Sequence, residues 1–248
     1  MPEPVALAAA STEAPRAPDF IAGLGPTLVV APHPDDESIG CGGLIALLRE
    51  RRVPVSVVLL TDGTGSHPGS RRFPPASRYA LRLREMRRAL LLLGVDAPLV
   101  EVGLPDGALP GHGTAGFADA VEVVHGCLEA LAPATLLAPW RRDPHPDHRA
   151  ASQIVRAANT LRQRPSRLIE YGVWLAERGA DGDLPRPDEA RAWRVNIGAV
   201  LAKKQAAVAA HASQWGGVID DDPGGFVLPP TLRPRAAVET FYECAHGK

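Results

Sequence analysis

The stretch TLVVAPHPDDE, residues 27–37, places a short apolar run directly before one histidine and three carboxylates. The apolar part, residues 27–31, is rich in valine and leucine, which is typical of a strand buried on both faces. A helical periodicity begins at Ile39. In open parallel sheets, ligands bind outside the carboxyl ends of the strands. The polar cluster between this strand and this helix therefore lies where a functional site is expected.

Short apolar runs alternate with helical segments along the rest of the chain, which predicts parallel strands joined by crossover helices. The predicted strands are residues 27–31, 55–60, 99–102, 135–138, 167–175, 194–197 and 238–242. The predicted helices are residues 39–51, 78–93, 116–131, 148–162 and 199–211. We therefore expect an α/β fold with a Rossmann-like, mostly parallel sheet flanked by helices.

The first 26 residues are rich in Ala and Pro and show no periodicity. They are expected to form a flexible N-terminal arm that ends in a short helix near Phe20. Residues 27–248 are long enough to form a single domain around one core.

The overall composition excludes several kinds of partner. The formal net charge is -1, with 45% apolar and 22% charged residues, so neither nucleic acid nor an acidic membrane surface is an expected partner. Acidic Glu3 stands where a secretory signal would carry positive charge, and no apolar run approaches membrane-spanning length. We expect a cytoplasmic protein without a membrane span, and the sequence leaves self-association open.

The cluster after the first predicted strand offers metal ligands. His33 and Asp36 are three residues apart on a loop that enters a helix, so both can turn towards one point and bind zinc. Asp35 lies between them, and a carboxylate beside a metal but not bound to it suits the role of proton acceptor for a metal-activated water. The alternative is that the acids only cap the helix near Ser38. Because the carboxylates would repel one another without a cation, the metal site is favoured.

A second cluster, RRDPHPDH at residues 141–148, follows the fourth predicted strand and is expected at the same edge of the sheet. His148 opens the next helix and can complete a His, Asp, His ligand set with a fourth position for water, as in catalytic zinc sites. His145 then remains free to act on a substrate. Asp147, between the two histidines, is able to orient one imidazole ring.

With both clusters considered, the sequence resembles the PIG-L/LmbE family of zinc-dependent de-N-acetylases over most of residues 27–215. Further matches are Thr61-Asp62-Gly63, Arg82 with Glu85 in a helix ending in Leu93-Gly94-Val95, and the run from Lys204 to Gln214 that includes His211. The resemblance implies an LmbE-like fold and a hydrolase that removes an N-acetyl or other N-acyl group from an amino-sugar-containing small molecule or glycoconjugate.

The resemblance also implies roles for the residues that match the two motifs. By similarity, His33, Asp36 and His148 bind zinc and Asp35 is the general base. His145 stabilises the oxyanion and protonates the departing amine. Ferrous or another divalent ion is an alternative to zinc, because the order of metal affinities does not fix which metal is carried.

Substrate contacts outside the motifs have structural alternatives. Arg82 is a candidate hydrogen-bond donor to the substrate, or else a helix-surface partner of Glu85. Asp106 is a candidate contact or a turn former, and His211 a candidate contact or a helix C-cap. Trp140 is a candidate platform for a sugar ring, or else a core residue. The segment at residues 63–75 is either a lid or a solvated loop.

Two other functions compete with the de-N-acetylase hypothesis. One is a metal-dependent amidase that acts on a non-sugar acylated scaffold. The other is a non-catalytic nucleotide-binding module, suggested by the strand-helix alternation and by Gly40-Cys41-Gly42-Gly43. A dinucleotide fingerprint requires G-x-G-x-x-G in the turn directly after the strand, whereas residues 33–37 occupy that turn and position 45 is Ile. The glycines are better explained as allowing close packing of the first helix on the sheet.

Overall fold

A computed structural model describes residues 18–244, which form an α/β fold around one seven-stranded sheet. The strands are β1 (Thr27–Ala31), β2 (Val55–Thr61), β3 (Leu99–Leu104), β4 (Thr135–Pro139), β5 (Arg167–Tyr171), β6 (Ala190–Asn196) and β7 (Val238–Cys244). Their order across the sheet is β3-β2-β1-β4-β5-β7-β6. Strands β1 to β5 pair in parallel, and β7 runs antiparallel to both of its neighbours. The predicted fold class is confirmed.

Helices cover both faces of this sheet. They are α1 (Pro18–Ala22), α2 (Asp36–Glu50), α3 (Pro75–Leu92), α4 (Phe117–Leu131), α5 (Pro146–Thr160), α6 (Leu175–Arg178) and α7 (Leu201–Ala210). Short 3₁₀ segments lie at Asp181–Asp183, Gly198–Val200, Ala212–Trp215 and Pro230–Leu232. Helices α2, α3 and α7 pack on one face, and α4 and α5 pack on the other. Within the described residues, no helix has the length and apolar character that a membrane crossing requires.

The structure departs from the predicted elements after β4. Strand β5 ends at Tyr171 and not at residue 175, because the Asp143 carboxylate accepts hydrogen bonds from the Val173 and Trp174 amides and draws the chain into α6. Strand β6 begins at Ala190, four residues earlier than predicted, since it pairs with β7 along its whole length. Alanine has a low strand propensity, so this start depends on tertiary pairing.

The described end of the predicted arm forms the short helix α1 around Phe20, as expected. Ile21 and Leu24 are buried in the core, and the Phe20 ring meets Trp193 edge-on at 5.0 Å between centroids. Residues 1–17 of the predicted arm lie outside the described residues.

Helix α2 is broken at Cys41, whose backbone angles (φ −143°, ψ 17°) are not helical. A buried ion pair occupies the break: Lys204 Nζ lies 2.6 Å from a Glu239 carboxylate oxygen. The ammonium donates to the Ile39 carbonyl at 2.8 Å, and the carboxylate accepts from the amides of residues 43–44 at 2.7 and 2.8 Å. The ion pair thus satisfies backbone groups that the break leaves without helical partners.

Two glycines let α2 lie close to the neighbouring elements. A Cβ atom at Gly40 would be 2.2 Å from the Tyr171 ring, and one at Gly43 would be 2.6 Å from the Ile197 side chain. Both separations are far below van der Waals contact. The packing explanation for this glycine cluster therefore suffices without a bound nucleotide.

We expect Lys204→Ala to lower the free energy of unfolding by about 3–5 kcal/mol, because it leaves the Glu239 carboxylate buried without its cation. The neighbouring Lys203 provides a matched control, since it pairs with Glu50 at 2.9 Å on the exposed side of α7. Lys203→Ala should cost less than about 1 kcal/mol. Urea unfolding of both variants measures the difference, and equal losses would contradict the proposed role of the buried pair.

Candidate metal centre

The two polar clusters meet at the carboxyl edge of the sheet because their strands are neighbours. Strands β1 and β4 pair in parallel, so the loops that follow them leave the sheet at the same edge. Residues 33–37 follow β1 and residues 141–148 follow β4. The expectation that both clusters lie on one rim is therefore met.

Two of the predicted ligands, His33 and His148, contact the same carboxylate oxygen of the third predicted ligand, Asp36. Asp36 Oδ2 lies 3.1 Å from His33 Nδ1 and 3.1 Å from His148 Nε2, and all three residues are buried. Ligand atoms bound to a tetrahedral zinc at about 2.0–2.1 Å are themselves about 3.3 Å apart. Each nitrogen is therefore near the separation from the Asp36 oxygen that a shared ion requires.

The far nitrogen of each ring lies against another carboxylate. His33 Nε2 is 3.0 Å from Asp147 Oδ2 and 3.2 Å from Asp106 Oδ1. His148 Nδ1 is 3.1 Å from Asp143 Oδ1. Metal-binding histidines commonly direct the second ring nitrogen to a carboxylate, which fixes the tautomer and the ring orientation.

The surroundings of His148 test whether a cation fits. Its ring is fully buried, yet neither nitrogen makes an aligned hydrogen bond within residues 18–244. A buried polar group without a partner is costly. A cation at Nε2, with the Nδ1 proton directed to Asp143, would satisfy both nitrogens. The donor set therefore fits a divalent metal ion.

The pKa shifts of His148 and Asp36 also favour a bound cation. Burial lowers the pKa of His148, but Asp36 and Asp143 outweigh it and raise the pKa to about 9. Burial raises the pKa of Asp36, but His148 and His33 outweigh it and hold that pKa well below its usual range. The cluster thus attracts positive charge, which a bound metal would supply in place of the proton.

His145 lies beside these groups. Ligand nitrogens of His33, His145 and His148 are within 4.8 Å of one another. The predicted ligands His33 and His148 are therefore close enough to share an ion. The Asp147 amide donates to His145 Nδ1 at 3.2 Å, which leaves the proton of the neutral ring on Nε2. Burial, followed by the positive charges of His33 and His148, lowers the pKa of His145 to about 4. His145 is therefore a neutral hydrogen-bond donor.

Asp35 is held in an unusual conformation next to the cluster. Its φ is 143°, in the positive region that residues other than glycine rarely adopt, and such strain is concentrated at functional sites. The side chain is buried and accepts a hydrogen bond from Arg82 at 3.2 Å. Burial raises the pKa of Asp35 to about 7, with Arg82 opposing the shift. A carboxyl group that titrates near neutrality can both accept and release a proton.

Arg82 positions Asp35. It is buried and also donates to the carbonyl oxygens of Pro34 and Gly63, both at 2.9 Å. The alternative of a helix-surface pair with Glu85 is wrong, because the Glu85 carboxylate accepts from the Ser213 amide and hydroxyl at 2.8 and 2.6 Å. Arg82 still lines the pocket described below, so substrate contact stays a prediction.

The other two predicted substrate contacts lie at different depths. Asp106 lines the pocket, and its second oxygen accepts from the Gly65 amide at 2.8 Å. His211 is buried directly after α7, with Nε2 3.1 Å from the Glu37 carboxylate, and it is not among the pocket-lining residues. This contact connects His211 to Glu37 and so to the first ligand cluster, residues 33–37.

A pocket of about 270 Å³ opens over the cluster. The polar part of its lining consists of His33, Asp35, Asp36, Arg82, Asp106 and His145. The apolar part consists of Ile39, Val173, Trp174, Phe226 and Leu228, and the exposed Arg178 also lines the pocket. The pocket therefore combines a polar cluster with an apolar surface, as is typical of small-molecule sites.

Trp174, and not Trp140, is the tryptophan of this pocket. Trp140 is fully buried, donates from Nε1 to the Asp183 carbonyl at 2.7 Å and packs on Tyr242, so its core role is the correct alternative. Asp143 was not among the predicted site residues, although it stands inside the second motif. A carboxylate so close to a candidate histidine ligand was the available signal.

The segment at residues 63–75 forms part of the pocket wall. Ser66 lines the pocket, and its carbonyl accepts from the Phe226 amide at 2.6 Å. Further hydrogen bonds join Gly69 to Asp222 and Ser70 to Asp221. The segment is therefore tied to residues 220–228 across the mouth of the pocket and is not simply a solvated loop.

Comparisons with known proteins agree with this architecture. Residues 28–159, a little over half of the chain, match the PIG-L family, described as GlcNAc-PI de-N-acetylase. A Bacillus anthracis protein named "Probable N-acetyl-alpha-D-glucosaminyl L-malate deacetylase 2" is 32% identical over 76% of this chain and 80% of its own length. The 1D-myo-inositol 2-acetamido-2-deoxy-alpha-D-glucopyranoside deacetylase of Nocardia farcinica is 29% identical over 90% of this chain and 91% of its own.

Among solved structures, the N,N'-diacetylchitobiose deacetylase of Pyrococcus horikoshii superimposes with a TM-score of 0.63 at 23% identity, over 84% of this chain and 75% of that protein. At this level of identity the likeness shows a common fold.

We expect Asp143→Asn to weaken binding of a divalent metal by roughly 10–100-fold, because it removes the charge that orients His148. Asp62→Asn is the matched control: Asp62 follows β2 at the same edge but bonds Thr64 and the Asp106 amide, not a histidine. Titration of metal-stripped protein with zinc measures both affinities. Unchanged affinity in Asp143→Asn would contradict the orienting role.

Proposed function

The chain belongs to the PIG-L family of de-N-acetylases, and from this premise we propose that it releases acetate from an N-acetylglucosamine unit of a small glycoside, with zinc as its metal. The observation that carries the proposal is the meeting of three candidate ligands around Asp36 Oδ2, with His33, Asp36 and the non-ligand carboxylate of Asp35 lining one pocket and His148 buried behind it. The two relatives named above act on small glycosides of this kind by their descriptions, which supports the substrate class.

We assign His33, Asp36 and His148 as the metal ligands. When bound, zinc lowers the pKa of a coordinated water to about 7 and polarises the substrate carbonyl. Iron or another divalent ion would suit a set of two imidazoles and one carboxylate as well, so zinc is the finer part of this proposal.

Asp35 takes the proton of the attacking water. Its carboxylate is held beside Asp36 by Arg82, and its pKa of about 7 would fall beside a bound cation, so the ionised base is available at neutral pH. After attack, the protonated Asp35 can deliver that proton to the departing nitrogen, so that water and amide yield acetate and a free amine.

His145 stabilises the developing oxyanion with its Nε2 proton. Protonation of the amine by His145 would need an imidazolium, which the pKa of about 4 disfavours. A metal cation beside the ring would lower that pKa further. The low pKa of His145 and the hydrogen bond that leaves its proton on Nε2 therefore support His145 as an oxyanion donor, with Asp35 as the source of the proton.

The test is acetate release from N-acetylated glycosides by metal-stripped and zinc-loaded protein. We expect activity only after loading. Asp35→Asn should keep the metal and lose at least about 100-fold in kcat, the usual contribution of a general base, whereas His148→Ala should lose both metal and turnover. Equal metal loss in the two variants would show that base and ligand are interchanged. Activity confined to acylated non-sugar substrates would favour the amidase hypothesis.

Arg82→Gln should shift the acidic limb of the kcat/KM profile to higher pH. Because the guanidinium lowers the pKa of Asp35, its loss raises that pKa and reduces the ionised base at neutral pH. Activity should therefore fall at pH 7 and recover as the pH rises. Full profiles of wild type and variant measure the shift, and a uniform loss at every pH would assign Arg82 to substrate binding instead.

A further inference from the structure

Arg178 lines the pocket and is exposed. Its guanidinium carbon is 4.0 Å from the centre of the Trp174 ring. The Trp174 indole is buried and meets the Phe226 ring edge-on at 5.9 Å, so the surface under the guanidinium is fixed by packing. An arginine stacked on an aromatic ring loses less freedom on binding, because its planar fork is already oriented.

The charges of the pocket are divided between its floor and its rim. Asp35, Asp36 and Arg82 are buried and form its floor, with Arg82 hydrogen-bonded to Asp35, whereas Arg178 is exposed and forms part of its rim. Arg178 makes no ion pair or side-chain hydrogen bond within residues 18–244. The rim thus presents a cation whose donors are available to a ligand.

We propose that Arg178 binds a carboxylate on the aglycone of the substrate, so that the protein prefers an acidic glycoside to a neutral one. The inference rests on the proposed function: with the acetamide over His33 and Asp36, the group attached to the sugar extends towards the exposed rim. A guanidinium binds a carboxylate through two parallel hydrogen bonds. The acetamide chemistry at the floor does not involve this contact.

The test compares two substrates that differ only in charge: N-acetyl-α-D-glucosaminyl L-malate and its dimethyl ester. Wild type should hydrolyse the malate glycoside with the higher kcat/KM. Arg178→Gln should lower kcat/KM for this substrate by roughly tenfold, chiefly through KM, as expected for loss of a charge-assisted hydrogen bond. The same substitution should leave the ester unaffected.

Arg233→Gln is the matched control. Arg233 is also exposed and also stacks on a tryptophan, with its guanidinium carbon 4.2 Å from the centre of the Trp215 ring, but it does not line the pocket. It should leave both substrates unchanged. An equal loss on both substrates in Arg178→Gln, or no loss on either, would overturn the proposal.

A third substrate separates failure of this inference from failure of the proposed function. 1D-myo-inositol 2-acetamido-2-deoxy-α-D-glucopyranoside has an uncharged aglycone. If wild type hydrolyses this compound and not the malate glycoside, the proposed function stands and the role of Arg178 is refuted. If wild type releases acetate from none of the three glycosides, the proposed function fails, and the inference fails with it.

Discussion

One carboxylate oxygen, Asp36 Oδ2, lies 3.1 Å from a nitrogen of each of two buried histidines. Concentrating these groups away from water is costly unless positive charge compensates the carboxylates around them. The second ring nitrogens, directed at Asp147 and Asp143, add two further negative charges to the cluster. A divalent cation balances this arrangement better than protons do, and the roles we assign to the neighbouring residues all depend on it.

The sheet brings these groups together, and the buried pair of Lys204 and Glu239 completes the arrangement. Adjacent parallel strands β1 and β4 deliver their loops to the same edge, so ligands more than 100 residues apart in sequence become neighbours. The ion pair lies at the break in α2, which is five residues after Asp36 at the start of the same helix. The orientation of the first ligand loop thus depends on contacts from the far end of the chain.

The parts of this architecture that local sequence determines could be predicted. The strands β1 to β4 and both ligand clusters were identified because apolar runs and nearby polar residues carry the signal. Trp174 and the buried setting of Arg82 were not, since each depends on contacts with distant segments. The start of β6 was predicted wrongly for the same reason. Asp143, in contrast, carried a local signal beside His145 that was not used. A cytoplasmic location stays a prediction, and the sequence leaves self-association open.

Part of the pocket lining comes from two loops that meet through the hydrogen bond between Ser66 and Phe226, whereas the ligands and Asp35 lie on segments anchored to the sheet and to the helices that follow its strands. These loops carry little of the core, so their length and side chains can diverge at small cost in stability. A lineage that inherits this scaffold can therefore acquire new substrates by exchanging loops while its hydrolytic apparatus stays intact.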